Sequence, residues 1–180
     1  MGGTATLGVG HPEPAEYAAF YAGYVQRVTE EPVAALESEG RKTQALLAGL
    51  SQAEAGHRYA EGKWTVRDLV GHMGDVERVM SYRALRIARG DATPLAGFDE
   101  NVYANVALAD RRPIEELAAE LAAVRGATLA LFRGLDAEGW TRRGVANGNP
   151  ITVRALAHII VGHERHHVEI LRTRYGITGA

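Results

Sequence analysis

Four of the seven histidines in this chain, His158, His163, His166 and His167, fall within ten residues, and the chain has no cysteine. Without cysteine there is no disulfide, no thiolate metal site and no cysteine nucleophile. A transition-metal site would have to be assembled from imidazoles and carboxylates. His163 and His167 are four residues apart. On a helix that spacing sets them about 40° apart in rotation and one turn apart along the axis, so both can reach one ion. They fall in register with Leu156, Ile159, Ile160, Ile170 and Leu171, which places them on the face that should be buried. Two adjacent buried imidazoles without partners would cost several kcal/mol, and a bound cation removes that cost.

A third ligand is needed, and His72 is the candidate. Leu69, Val76 and Val79, at three before, four after and seven after, put it at the border of an apolar stripe. Alone, His72 reads more simply as a core-edge histidine hydrogen-bonded to a neighbouring helix. With the downstream pair, three neutral histidines and open positions describe a catalytic type of site. His166 lies about 100° from His167 around the helix, and His158 lies about 140° from His163 and should be exposed. His11 and His57 stand in irregular sequence and receive no role. Residues 163 to 167 read His-Glu-Arg-His-His and match the H-E-x-x-H pattern of zinc peptidases. The extended form of that pattern fails, because Ile170 and Thr173 stand where Gly and His are wanted.

Three carboxylates are candidates to support such a centre. Glu164 could act as a base on the nucleophile, or be an exposed helix acid beside Arg165. Asp75, one turn from His72, could hold a ligand imidazole in one tautomer, or be a surface acid. Asp99, with Glu100, could approach the metal from a long loop, although capping a following helix is the simpler role for Asp99. Arg83, Arg86 and Arg89 share one side of a helix. They could bind an anion, or form a solvated face paired with Glu77 or Asp91.

The elements that must position these groups are helical almost throughout. Residues from Pro14 to Val28 read as a short helix with Tyr17, Phe20, Tyr21 and Tyr24 on one face. Thr29, as a capping residue before two acids and Pro32, opens a helix that runs to about Leu50. Ser51 to Lys63 reads as irregular. Thr65 and Asp68 form a box-like start for a helix reaching Arg89, where Gly90 stops it. Asp91 to Asp110 is the longest non-periodic section, with Glu100 to Ala109 helical in part. Pro113 and two acids start another helix, which ends near Gly134. After a polar loop at residues 136 to 150, Ile151-Thr152 opens the last helix, which Gly176 ends. Strand signals are weak everywhere. The fold class is therefore all-α: an antiparallel four-helix bundle with an extra short N-terminal helix. Residues 1–13 read as a flexible tail and residues 14–176 as a single domain.

Composition narrows the partners. Hydrophobic residues at 46% and charged residues at 23% fit a globular rather than a disordered chain. A net charge of −2 supplies no global positive field for nucleic acid. No stretch is apolar enough to span a membrane. The N-terminal residues lack the hydrophobic core of a signal peptide. Gly2 and Thr6 match a myristoylation pattern, but no second anchor follows. The expected location is the cytoplasm.

Three places in the chain together resemble the DinB-like superfamily, and in particular its YfiT-like branch. One is Lys63 to His72, followed by Asp75 and Glu77. The second is Gly97-Phe98-Asp99-Glu100-Asn101. The third is Ile151 to His163, with His166 and His167 behind it. The resemblance spans roughly residues 30 to 175. It implies a four-helix bundle holding a divalent metal, nickel or zinc, on three histidines that map onto His72, His163 and His167, and a homodimer in many members. It also implies one of two activities, beside which a third reading, not drawn from the resemblance, is kept. The first is a thiol S-transferase joining a low-molecular-weight thiol, such as bacillithiol or mycothiol, to small electrophiles. The second is a metal-dependent hydrolase with water as nucleophile. The third is a non-enzymatic, stress-linked bundle with a structural metal. The partner in the first two is a small-molecule substrate. A thiol, if one takes part, must come from outside the chain.

Overall fold

The computed structural model of the chain describes residues 8–178. The possible lipidation site at Gly2 lies outside these residues. The elements in chain order are α1 (Ala22–Val25), α2 (Pro32–Ala48), α3 (Gln52–Ala55), α4 (Val66–Ala88), α5 (Glu100–Ala107), α6 (Ile114–Arg133), α7 (Ala137–Thr141), β1 (Arg143–Ala146), β2 (Asn149–Thr152) and α8 (Val153–Thr173). Four of the helices are long, and they form where apolar residues recur with helical spacing. Thr65 caps α4 by accepting from the Asp68 amide, and the Asp68 carboxylate accepts from the Thr65 amide at 2.9 Å. Thr152 caps α8 by accepting from the Ala155 amide. Gly90, at φ +79°, takes the left-handed conformation that follows the end of α4.

The four long helices make a bundle in which the first two and the last two in chain order are not neighbours. α2 packs on α6 and α8, and α4 also packs on α6 and α8. The consecutive pairs α2/α4 and α6/α8 therefore lie across the diagonals. This arrangement pairs α4, which carries His72, with α8, which carries His163 and His167. α8 has its residues from Ala155 to Glu164 all buried. One apolar cluster joins Val76, Met80 and Ile87 to Ile159 and Ile160. A second joins Leu69 and Met73 to Val168 and Leu171. The histidines sit near their junction.

Several elements differ from the sequence reading. The expected helix from Pro14 to Val28 is broken into two single turns, Pro14–Glu16 and Ala19–Tyr21, and the short α1. Glu16 is buried at the break, where its carboxylate accepts from Thr152 and Arg154. Thr29 does not cap α2; Glu31 holds the capping position and Pro32 is the first helical residue. The irregular stretch after Leu50 contains α3, capped by Ser51 and Glu54 in a reciprocal box. Residues 8–13, expected as tail, lie against the bundle. The Val9 amide donates to Glu31 at 3.0 Å, Arg154 donates to the Val9 carbonyl at 3.2 Å, and Pro12 is buried.

The polar loop at 136–150 holds α7 and a two-stranded antiparallel hairpin, β1 paired with β2. Asn147 and Gly148, at φ +50° and +72°, form its turn, the Asn-Gly pairing that matches strand twist. The hairpin also fixes the long loop. The Leu95 amide donates to the Val145 carbonyl, and the Asn147 amide donates to the Leu95 carbonyl, each at 2.9 Å. Gly97 lies so close to the Asn147 side chain that a Cβ there would overlap it. Phe98, Asp99 and α5 are thereby held over one end of the α4–α8 pair. Among the described residues, no helix is long and apolar enough to cross a membrane.

Candidate metal centre

His72, His163 and His167 converge. The Nε2 atoms of His72 and His163 are 3.0 Å apart, those of His163 and His167 3.0 Å, and those of His72 and His167 3.2 Å. All three residues are buried, at 5%, 6% and 8% exposure. The i, i+4 spacing on α8 brings two of them together, and the α4–α8 pairing supplies the third. Tertiary packing holds the rings. Trp64 lies 4.8 Å from His72 between ring centres, Tyr24 meets His163 edge-on at 5.5 Å, and His166 meets His167 at 5.0 Å. The Tyr24 contact depends on Gly162, because a Cβ there would fall inside the van der Waals envelope of the Tyr24 backbone.

Three neutral imidazoles that each offer one nitrogen to a shared triangle cannot satisfy one another. Whichever nitrogens carry protons, at least one edge opposes two lone pairs or two protons. A cation resolves the conflict, since all three can then present lone pairs. Edges of this length are compatible with metal–nitrogen bonds of about 2.0–2.1 Å. Electrostatics favour the required neutral state. Burial lowers the pKa of His72 to about 4 and that of His167 to about 3. His163 is pushed well below its ordinary value by burial and then by the neighbouring imidazoles. The three residues could thus hold a metal ion. The Nδ1 atom of His167 is buried without a partner, so its ring is oriented by packing rather than by the hydrogen bond usual behind a ligand imidazole.

His163 also lines a cavity of ≈ 520 Å³ whose walls include Tyr21, Tyr24, Met80, Arg83 and Phe98. Asp99 lines this cavity, and its Oδ1 caps α5 by accepting from the Asn101 and Val102 amides at 2.9 and 3.1 Å. The other two carboxylates stand elsewhere. Asp75 is partly buried and pairs with Arg78 at 3.4 Å, and burial raises its pKa. Glu164 is neither exposed nor paired with Arg165. It accepts from Thr43 Oγ1 at 2.6 Å and from Arg125 at 2.8 Å, on a different side of α8 from the histidine triangle. Burial raises its pKa, partly opposed by Arg125 and Thr43.

The Glu164 network was not legible as such. Arg125 forks onto Glu77 with two bonds of 2.8 Å, donates to the Leu36 carbonyl at 2.8 Å, and joins Glu164. Burial alone would lower the Arg125 pKa, and the two carboxylates outweigh it. A cavity of ≈ 450 Å³ adjoins this network and holds none of the histidines. The signal was present, because Arg125 is four residues after Leu121 and three before Thr128, inside the buried stripe of α6. Glu77, expected to pair with the α4 arginines, pairs with Arg125 instead. Arg86 does pair with Asp91, whereas Arg83 is buried and has no carboxylate partner among the described residues. His158, expected to be exposed, is buried at 2% exposure. Its Nδ1 contacts the Arg154 carbonyl at 2.8 Å, and its ring meets that of His11 at 5.1 Å. His11, within the stretch expected as a flexible tail, is part of what covers it.

The family model described as the DinB superfamily matches residues 35–171. The chain belongs to the DinB superfamily. That match contains all three histidines, the whole of α4 and α6, and all but the first residues of α2 and the last of α8. Among solved structures, this DinB chain is similar to YfiT from Bacillus subtilis, with a TM-score of 0.74 and 20% sequence identity. The similarity covers 94% of this chain and 96% of that one. The YfiT structure is described as a probable metal-dependent hydrolase with an unusual four-helix bundle topology. No curated protein matches the chain. The likeness establishes the shared four-helix bundle. The diagonal placement of α2 with α4 and of α6 with α8 is what departs from a simple up-and-down bundle here.

Proposed function

We propose that this DinB protein is a divalent-metal-dependent enzyme acting on a small molecule, with His72, His163 and His167 as the metal ligands and hydrolysis as the reaction. The observation that carries the reading is the convergence of three buried Nε2 atoms at 3.0–3.2 Å beside a cavity of ≈ 520 Å³. The description of YfiT as a probable metal-dependent hydrolase supports water as the nucleophile. A divalent ion held by His72, His163 and His167 would supply Lewis acidity there.

The chain's own groups do the rest. The histidines are held neutral by burial and so can offer lone pairs at neutral pH. Tyr24, Phe98 and Met80 line the cavity and exclude bulk water from its base. Of the three candidate carboxylates, Asp99 is the one on the cavity wall, beside Glu100, and is suited to take up a proton, since Glu164 and Asp75 are engaged with Arg125 and Arg78.

A second reading has its own support. With Glu164 and Asp75 committed elsewhere, a nucleophile that needs no strong base, namely an added thiol ionised by the metal, also suits the site. That is thiol S-transfer, and the thiol must be a co-substrate because the chain has no cysteine.

The metal reading is tested by elemental analysis of the wild type and His163→Ala. Metal should be lost in the variant, and equal content in both would overturn it. Ester or amide hydrolysis that needs metal but no thiol selects the first chemistry. Turnover of monochlorobimane only when a low-molecular-weight thiol is added selects the second.

A further inference from the structure

Arg83 is the feature that neither metal binding nor packing accounts for. It lies on α4, seven residues after Val76 and three after Met80, both of which line the same cavity as His163. Its side chain is 2% exposed. A buried guanidinium usually has a carboxylate partner, because desolvating an unpaired charge is costly. Arg83 has none among the described residues. It donates to the Ala96 carbonyl at 2.7 Å, contacts the Met80 sulfur at 3.6 Å, and lies 5.8 Å from the centre of the Phe98 ring. It also lies within hydrogen-bonding reach of the Tyr21 hydroxyl. A guanidinium has five N–H donors, so part of its capacity, and all of its charge, is left unmatched by the protein.

The surroundings define what could fill it. Among the residues lining the cavity, Arg83 is the only Lys or Arg. Asn101 and Asn147 add neutral polar groups, and Tyr21, Tyr24 and Phe98 add aromatic surface. Asp99 and Glu100 also line the cavity and are exposed. One buried cation below two exposed acids suits a monoanion and opposes a dianion.

We propose that Arg83 binds the carboxylate of a small, largely apolar organic monoacid occupying the cavity beside His163. This names the substrate class for the histidine centre and rests on that reading only for the ligand's other end. His72 and Arg83 are eleven residues apart on α4, about 16 Å along the axis. The arginine side chain leans back toward the N-terminus, so the ligand spans on the order of 10 Å between the two ends. Phe98 and the tyrosines cover its apolar middle.

The test uses octanoate and octanamide as probes on the full chain in the presence of a chelator, so that it does not depend on the metal. Isothermal titration should show octanoate binding roughly 10–100-fold tighter than octanamide, the range of a charge-assisted hydrogen bond. Arg83→Gln should reduce octanoate to the octanamide level and leave octanamide unchanged, which a purely structural role for Arg83 would not produce. If Arg83→Gln fails to fold, Arg83→Lys keeps the charge and should retain a reduced preference. Equal affinity for the two probes in the wild type, no binding of octanoate, or a preference that survives in Arg83→Gln would overturn the proposal. A companion titration of the zinc-loaded protein with the monohydroxamate of octanedioic acid reads the other end. Loss of a metal-dependent gain there, with the octanoate preference intact, would reject the metal reading and leave Arg83 as the carboxylate site.

Discussion

Replacing Arg125 by Met removes a cation from between two buried carboxylates. In the wild type Arg125 makes four bonds of 2.8 Å: two to Glu77, one to Glu164 and one to the Leu36 carbonyl. Met fills much of the volume but leaves Glu77 and Glu164 buried without a counter-charge. Breaking such a pair by removing one partner costs about 3–5 kcal/mol, a large share of a typical domain stability of roughly 5–15 kcal/mol. The cost has a predictable pH dependence. In the variant the buried carboxyls hold protons more tightly when folded than when unfolded, so the folded state binds more protons. Stability then falls as pH rises through the range above the unfolded carboxylate pKa. Urea denaturation with linear extrapolation at pH 5 and pH 8 should show a loss near the full 3–5 kcal/mol at pH 8 and a smaller one at pH 5. A loss below about 1 kcal/mol at pH 8, or the same loss at both pH values, would refute the argument, because removal of a counter-ion from a buried acid requires both. Metal content should be unchanged in the folded variant, since Arg125 touches none of the three histidines.

Further outcomes follow from neighbouring features. Glu164→Gln keeps an acceptor for Arg125 and Thr43 and should cost no more than about 1 kcal/mol, with metal content and turnover retained; loss of turnover with normal metal would restore Glu164 as a base. Gly162→Ala forces the Tyr24 backbone away from α8 and should destabilise by about 1–3 kcal/mol, with weaker metal binding read by competition with a chelator. His158 is buried, and its pKa falls from 6.5 to about 4 through desolvation, so the unfolded chain takes the proton first and stability is lost as pH falls from 6.5 toward 4. The loss is up to about 3 kcal/mol, and His158→Phe should flatten that slope in urea titrations of the metal-loaded protein. Glu16 is held at about 2, chiefly by its hydrogen bond to Arg154. Its contribution is therefore present above the unfolded value of 4.5 and lost as pH falls through 2, and Glu16→Gln should increase proteolysis of the N-terminal segment at neutral pH.

Much of the architecture was readable from local rules. The Thr65–Asp68 box, the stop at Gly90 and the Thr152 start each depend on a few adjacent residues, and each is present. The broken N-terminal helix was not readable, because Glu16 at its break is bonded by Arg154, 138 residues away, and spacing within the segment does not reveal that partner. The hairpin was hidden by its short strands, although Asn147-Gly148 carries the turn signal. The buried polar groups escape a reading of the sequence for a common reason. Periodicity says which face a residue occupies, but α8 is enclosed on nearly every side, so His158 and Glu164 are buried away from the face that carries the histidine pair.

The sequence by itself determined where the four long helices form, which of their faces are apolar, and that His163 and His167 point together, because helix geometry and capping are local. It also determined that any thiol must be supplied from outside. Tertiary structure alone decided that α4 packs against α8 rather than α2, and so brought the His72 nitrogen to within 3.0–3.2 Å of the other two. It also withdrew Glu164 into the Arg125 network and left Arg83 buried without a counter-ion at the cavity. These outcomes depend on which charges become neighbours once water is excluded, and spacing along the chain does not encode that.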